Sequence, residues 1–172
     1  MKVIENKNFL SKDSKNFINN VILNSEFPLY YSLSHYNTKY YYLSHVVLKR
    51  PEQRNHNQFN SEFYPQFIKI LDEFRMKENI KIKELCRIAV NLTFNIGVKD
   101  SPKHVDHNFD HKQLIVYLND CDKNSHTVLL KNNKIYKKII PEKYKGAYFG
   151  KCVHYQTYPK SGSRVAIIYT FK

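Results

Sequence analysis

Two hydrophobic periods run through this chain, and the change from one to the other separates a helical first part from a strand-rich remainder. Near the start, Phe17, Ile18, Val21 and Ile22 fall at helical spacing behind Ser11, whose hydroxyl suits an N-cap, and Pro28 follows as a stop. The aromatic and β-branched stretch from Tyr40 to Leu48 predicts a strand. A second helix is expected from about Ser61 to Lys77. There Tyr64, Phe67, Ile68, Leu71 and Phe74 repeat every three or four residues and make one buried stripe.

From Lys83 onward the period shortens to that of strands. The expected strands are Glu84–Phe94, Lys112–Leu118, Thr127–Leu130, Ile135–Ile140, Ala147–Cys152 and Arg164–Phe171. Turn residues separate them: Asn95-Ile96-Gly97, Asn119-Asp120, Asn132-Asn133, Lys145-Gly146 and Ser161-Gly162-Ser163. Helices followed by a strand meander predict an α+β, mainly β architecture, two packed sheets with helices bracing one side. No repeat or low-complexity linker interrupts the chain, so a single domain over residues 1–172 is expected.

Composition narrows the class. At 172 residues with 42% hydrophobic side chains, the chain can bury one sizeable core. No apolar run approaches the roughly 18 to 20 residues that span a bilayer, and Met1 to Lys7 lack the apolar centre of a signal peptide. No membrane association is expected. Cys86, Cys121 and Cys152 are odd in number and lack CxxC spacing, which predicts reduced thiols in a cytoplasm.

The net charge of +13 is compatible with an anionic partner, yet the lysines are spread along the chain among abundant Asn, Ile and Tyr. The densest run, Lys131 to Lys138, has the form of a turn between two strands. A solvated basic surface is therefore expected, and no specific nucleic-acid partner.

Candidate chemistry lies in separated residues. His104 and Asp106, two apart, share one face of an extended segment. His154 follows far downstream. Two histidines and a carboxylate on one face of an ion form the facial triad of non-haem Fe(II) sites, which leaves the opposite face open. An HxD pair alone is a weak signal. Arg164, ten residues beyond His154, strengthens it, because a guanidinium on the next strand can fork onto a carboxylate.

In chain order, Arg87-Ile88-Ala89-Val90-Asn91-Leu92, His104-Val105-Asp106, Val116-Tyr117-Leu118-Asn119, Phe149 to His154 and Arg164-Val165 resemble a known family. It is the 2-oxoglutarate/Fe(II) oxygenases of the prolyl-4-hydroxylase-like superfamily, most of all small members from tailed-bacteriophage and marine bacterial genomes. Phe27-Pro28-Leu29-Tyr30-Tyr31 extends the resemblance over nearly the whole chain. It implies a double-stranded β-helix (jelly-roll, cupin-like) with supporting N-terminal helices. It also implies Fe(II) on His104, Asp106 and His154, with O2 as oxidant. The distal carboxylate of 2-oxoglutarate would pair with Arg164 and Tyr117, with Thr127 a further co-substrate residue. The implied reaction hydroxylates an unidentified peptidyl residue, amino acid or small metabolite and releases succinate and CO2, in the cytoplasm of a bacterial or phage-infected cell.

The chain departs from that pattern where relatives carry glycines before the threonine. Here the segment is Lys123-Asn124-Ser125-His126-Thr127, without the glycines that permit a tight left-handed turn. Other readings stay open. Tyr117 can be a plain inward-facing residue and Arg164 a surface arginine. Cys152, close to His154, is expected to pack rather than to ligate. His107 and His111 mimic a zinc spacing with His104 but are expected in a loop at the pocket mouth. His35, His45, His56 and His126 are expected to be ordinary core or surface residues. An oxidative nucleic-acid demethylase of the same fold is a second function, although such enzymes carry another arginine six residues after the first, where this chain has Thr170. A non-catalytic cupin-like metal-binding module is a third, but it has no need of Arg164.

Overall fold

The computed structural model describes residues 2–34, 39–54 and 59–172, so His35 and His56 lie outside the described residues. The strands are β1 (Val3–Asn6), β2 (Tyr30–Leu33), β3 (Tyr41–Leu48), β4 (Leu85–Phe94), β5 (Lys112–Tyr117), β6 (Thr127–Lys131), β7 (Lys134–Ile139), β8 (Gly146–Gly150), β9 (His154–Gln156) and β10 (Ser163–Phe171). The helices are α1 (Lys12–Phe17), continued by a wider π-helical turn at Ile18–Ile22, and α2 (Tyr64–Lys77). Seven strands form a large sheet in the order β1-β8-β5-β10-β4-β3-β2, and three form a small one, β7-β6-β9. All pairings are antiparallel. This is the double-stranded β-helix, with helices packed on the large sheet.

Strand parity divides the two faces of that sheet. Ile88, Val90, Leu114, Val116, Val165, Ile167, Tyr169 and Phe171 point to the helices, where Phe67, Ile70, Leu71 and Phe74 of α2 meet them in one core. Alternate positions point to the small sheet, and Ile115, Tyr117 and Ala166 pack there with Leu129 and Ile139. Ser11 caps α1 as its position predicts, accepting from Ser14 N at 3.2 Å. Glu73 of α2 ties the helices together by accepting from Ser11 N (3.0 Å) and from the Ser14 hydroxyl (2.9 Å).

Three expectations change. Lys145-Gly146 is not the turn. The left-handed residue is Tyr144 (φ 67°), and Gly146 opens β8, where a Cβ would stand 2.7 Å from the Phe74 ring. Glycine is needed there for close approach, not for bending. The expected strand Ala147–Cys152 ends earlier. β8 ends at Gly150, and the chain crosses to the small sheet, where His154 opens β9 against Leu129. The glycine-free segment before Thr127 closes without a left-handed residue, because Asp122 Oδ1 accepts from Asn124 N and Oδ2 from Lys160 N, each at 2.9 Å. The Asn132-Asn133 turn is as expected, both residues left-handed, joining β6 to β7. Among the described residues no helix is long and apolar enough to cross a membrane.

Candidate active site

The two sheets enclose a cavity of about 160 Å³, lined on the large sheet by Arg87, Asn91 and Thr93 of β4, Gln113 and Ile115 of β5, and Arg164, Ala166 and Ile168 of β10. Each set sits on the parity opposite to the helix-facing core residues. Thr127, His154 and Gln156 contribute from the small sheet, and His104 and Asp106 from the long β4–β5 connection.

His104 and His154 form an isolated antiparallel bridge, exchanging backbone hydrogen bonds of 3.0 and 2.9 Å. That pairing holds the two rings 4.4 Å apart, and Asp106 is on the same side two residues on. The ligand atoms of His104, Asp106 and His154 all lie within 4.8 Å of one another. His154 Nδ1–H donates to Cys152 O at 3.1 Å, which turns Nε2 towards Asp106 Oδ2, 3.4 Å away. His104 Nδ1 is 3.0 Å from Pro102 O, which leaves Nε2 as its ligand nitrogen. Asp106 Oδ2 is buried and without a hydrogen-bond partner, a costly state that a cation would relieve. The donor set and the orphaned oxygen fit a divalent first-row ion.

Protonation agrees with that. Burial pushes His154 down to about 4, against the pull of Asp106. For Asp106, burial alone would raise the carboxyl, but His154, His104, Arg87 and Arg50 outweigh it and hold it well below the usual carboxylate range. A neutral imidazole and an ionised carboxylate are the forms that ligate. Cys152 has the opposite character: burial first, and Asp106 second, raise its thiol to about 11, so it stays a neutral packing group.

On another wall Arg164 is buried, 4% exposed. Its guanidinium donates to Thr127 Oγ1 (2.7 Å) and to Gln156 Oε1, lies over the Tyr117 ring at 5.2 Å, and leaves its Nε without a partner. No carboxylate among the described residues pairs with it. Tyr117 is fully buried and stands behind this wall rather than in it, its hydroxyl donating to Thr127 Oγ1 at 2.8 Å.

Several residues escape sequence reasoning. Arg50 donates from Nη1 to the Asp106 carbonyl and brings Nη2 within 3.4 Å of Oδ1, while Arg87 Nη1 is 3.9 Å from the same oxygen. Arg87 opens a stretch visible in the sequence, but nothing there shows which way it points. Gln113 is fully buried with Nε2 3.4 Å from His154 Nδ1; with the amide turned over, its partnerless Oε1 can accept that N–H. His107 and His111 are not at the pocket mouth. Both are buried, with His107 Nε2 2.8 Å from Thr170 Oγ1, and neither belongs to a metal-competent group among the described residues. Their side chains fill the space beneath the end of β10 because the connection folds back on it. His45 is a core histidine, 2.9 Å from Pro28 O.

No protein-family model matches the sequence, and no curated protein matches it. Solved structures do match the fold. A 2OG-Fe(II) oxygenase family oxidoreductase from Burkholderia pseudomallei superposes with a TM-score of 0.74 at 11% identity, covering 98% of this chain and 84% of that one. A prolyl hydroxylase from Trichoplax adhaerens, in complex with a hypoxia inducible factor peptide fragment, gives 0.68 at 16% identity over 98% and 82%. A Pseudomonas putida prolyl-4-hydroxylase gives 0.65 at 13% identity over 99% and 92%. The fold is that of the 2-oxoglutarate/Fe(II) oxygenases of the prolyl hydroxylase kind.

Proposed function

We propose that this protein is an Fe(II)- and 2-oxoglutarate-dependent oxygenase that hydroxylates a substrate still to be identified. One observation carries the reading: a buried guanidinium, Arg164, without a carboxylate partner among the described residues, on the wall of the cavity that also holds His104, Asp106 and His154. Such a cation costs several kcal/mol unless an anion arrives to meet it. A metal-binding module has no use for it.

In this reading His104, Asp106 and His154 hold Fe(II), and Arg164 forks onto the distal carboxylate of 2-oxoglutarate. Thr127 Oγ1 accepts from both Tyr117 and Arg164, so its own proton is left to donate to the same carboxylate. Tyr117 acts from behind, by orienting Thr127. When bound, iron and co-substrate supply oxidation by O2, releasing succinate and CO2 and leaving one oxygen atom for the substrate. The residues of the chain keep water out and hold the reactants in place. Hydroxylation, as against another oxidative outcome, is supported by the prolyl hydroxylases among the structural neighbours. The demethylase alternative is disfavoured because Thr170 stands where the second arginine would be, engaged with His107.

Anaerobic Fe(II) titration with and without 2-oxoglutarate tests the site. Asp106→Ala and His154→Ala are each expected to remove most Fe(II) affinity while far-UV circular dichroism stays that of the parent, since the apolar core does not include the triad. Succinate formation by the parent protein is the accompanying activity. Unchanged affinity in both variants would discard the triad.

A further inference from the structure

Arg50 and Arg87 add positive charge to a cavity that already holds Arg164, and Asp106 is the one carboxylate among the described residues that line it. A ferrous ion and a 2-oxoglutarate dianion would cancel one another. The loaded site would then keep a surplus of positive charge in a setting where charge is costly. Arg87 is anchored apart from Arg164: its guanidinium lies at Asp106 and Tyr42, that of Arg164 at Thr127 and Gln156. Arg87 pairs with Thr170 and Arg164 with Thr93, at opposite ends of the β4–β10 ladder, so their Cα atoms are on the order of 20 Å apart along the strands.

Nor does Asp106 need both arginines. Arg50 already reaches its carbonyl and Oδ1, whereas Arg87 stops at 3.9 Å. Arg87 is buried, 8% exposed, and lines the same cavity as Arg50. A second guanidinium held there against desolvation and repulsion is explained by an anion that docks on it. Tyr42 hydrogen-bonds Arg87, and Tyr40 and Asn91 line the same cavity.

We infer that Arg50 and Arg87 form the substrate subsite, and that the substrate carries an anionic group, carboxylate or phosphate, which docks on them beside the metal. This rests on the oxygenase reading above.

The test uses Mn(II)-loaded protein saturated with 2-oxoglutarate. Inorganic phosphate and acetate are the probes, read by paramagnetic broadening of their phosphorus and carbon resonances. Saturable broadening is expected for at least one probe, and the tighter of the two identifies the anion. Arg87→Met should weaken it by about tenfold or more, with Mn(II) and 2-oxoglutarate affinities in the same samples within about threefold of the parent; Arg50→Met, measured at saturating Mn(II) because Arg50 also supports Asp106, should weaken it by a similar factor. Absence of broadening in the parent, or unchanged broadening in both variants, overturns the inference. Loss of Mn(II) affinity in step with probe binding in Arg87→Met also overturns it, because Arg87 then serves Asp106 alone. A parent protein that binds neither Mn(II) nor 2-oxoglutarate brings down the oxygenase reading itself, and this subsite with it.

Discussion

At the scale of single residues, the cavity leaves certain buried polar atoms unmatched. Arg164 has donors to spare, while Tyr117 has given its hydroxyl to Thr127. Arg164→Ala should therefore weaken 2-oxoglutarate binding by the worth of a charge-assisted contact, about 1.5 to 3 kcal/mol, and Tyr117→Phe by about 0.5 to 1.5 kcal/mol. Calorimetric titration of the metal-loaded protein measures both. Equal and negligible effects would place the co-substrate carboxylate elsewhere. Buried histidines add a pH dependence. Burial lowers His107 and His154 from 6.5 to about 4, so the unfolded chain takes up their protons first as pH falls. Stability of the metal-free protein is then full above pH 6.5 and lost progressively from there down to about pH 4. Thermal melts across that window check it; a flat Tm would mean that the two imidazoles take up protons alike in the folded and unfolded states.

At the scale of elements, the close contact of α2 with the large sheet is what gives the helices their hold. Gly146 lets β8 pass under the Phe74 ring. Gly146→Ala should cost about 1 to 3 kcal/mol through overpacking, and denaturant unfolding with unchanged m-value is the readout. A cost near zero would mean that Phe74 shifts freely. The paired Gly146→Ala, Phe74→Leu variant should recover part of the loss, since the smaller side chain vacates the contact. Crossovers between sheets matter as much. The two-hydrogen-bond bridge between His104 and His154 lies outside the main ladders, yet it brings the two imidazoles together.

At the scale of the whole molecule, the charge of +13 is spread over turns and edges. Lys131, Lys134 and Lys138 are exposed about the β6–β7 hairpin, and Lys137 is paired with Glu5 at 2.6 Å. Binding of DNA or RNA should be weak, indifferent to sequence and lost steeply as salt rises, because counterion release alone would drive it. Oligonucleotide titrations at low and physiological salt check this. Tight binding that survives physiological salt, or 2-oxoglutarate turnover stimulated by a methylated base, would promote the demethylase alternative.

Much of this was legible in the order of residues. Period separated helix from strand at α2, at β3 to β8 and at β10, because side-chain alternation follows backbone geometry directly. The Ser11 cap and the Asn132-Asn133 turn were readable for the same local reason. Parity also told that His104 and Asp106 share a face. What no local pattern contains is which distant segments meet. The short strands β1 and β2 form by pairing with β8 and β3, not by strong periodicity of their own. The crossing of the chain between Gly150 and His154 carried His154 into the small sheet, and only that crossing brings it beside His104. Arg50 and Arg87 look in the sequence like any two arginines. Burial on one face of a closed pair of sheets gave them their meaning, because charge becomes costly, and so informative, only where water has been removed.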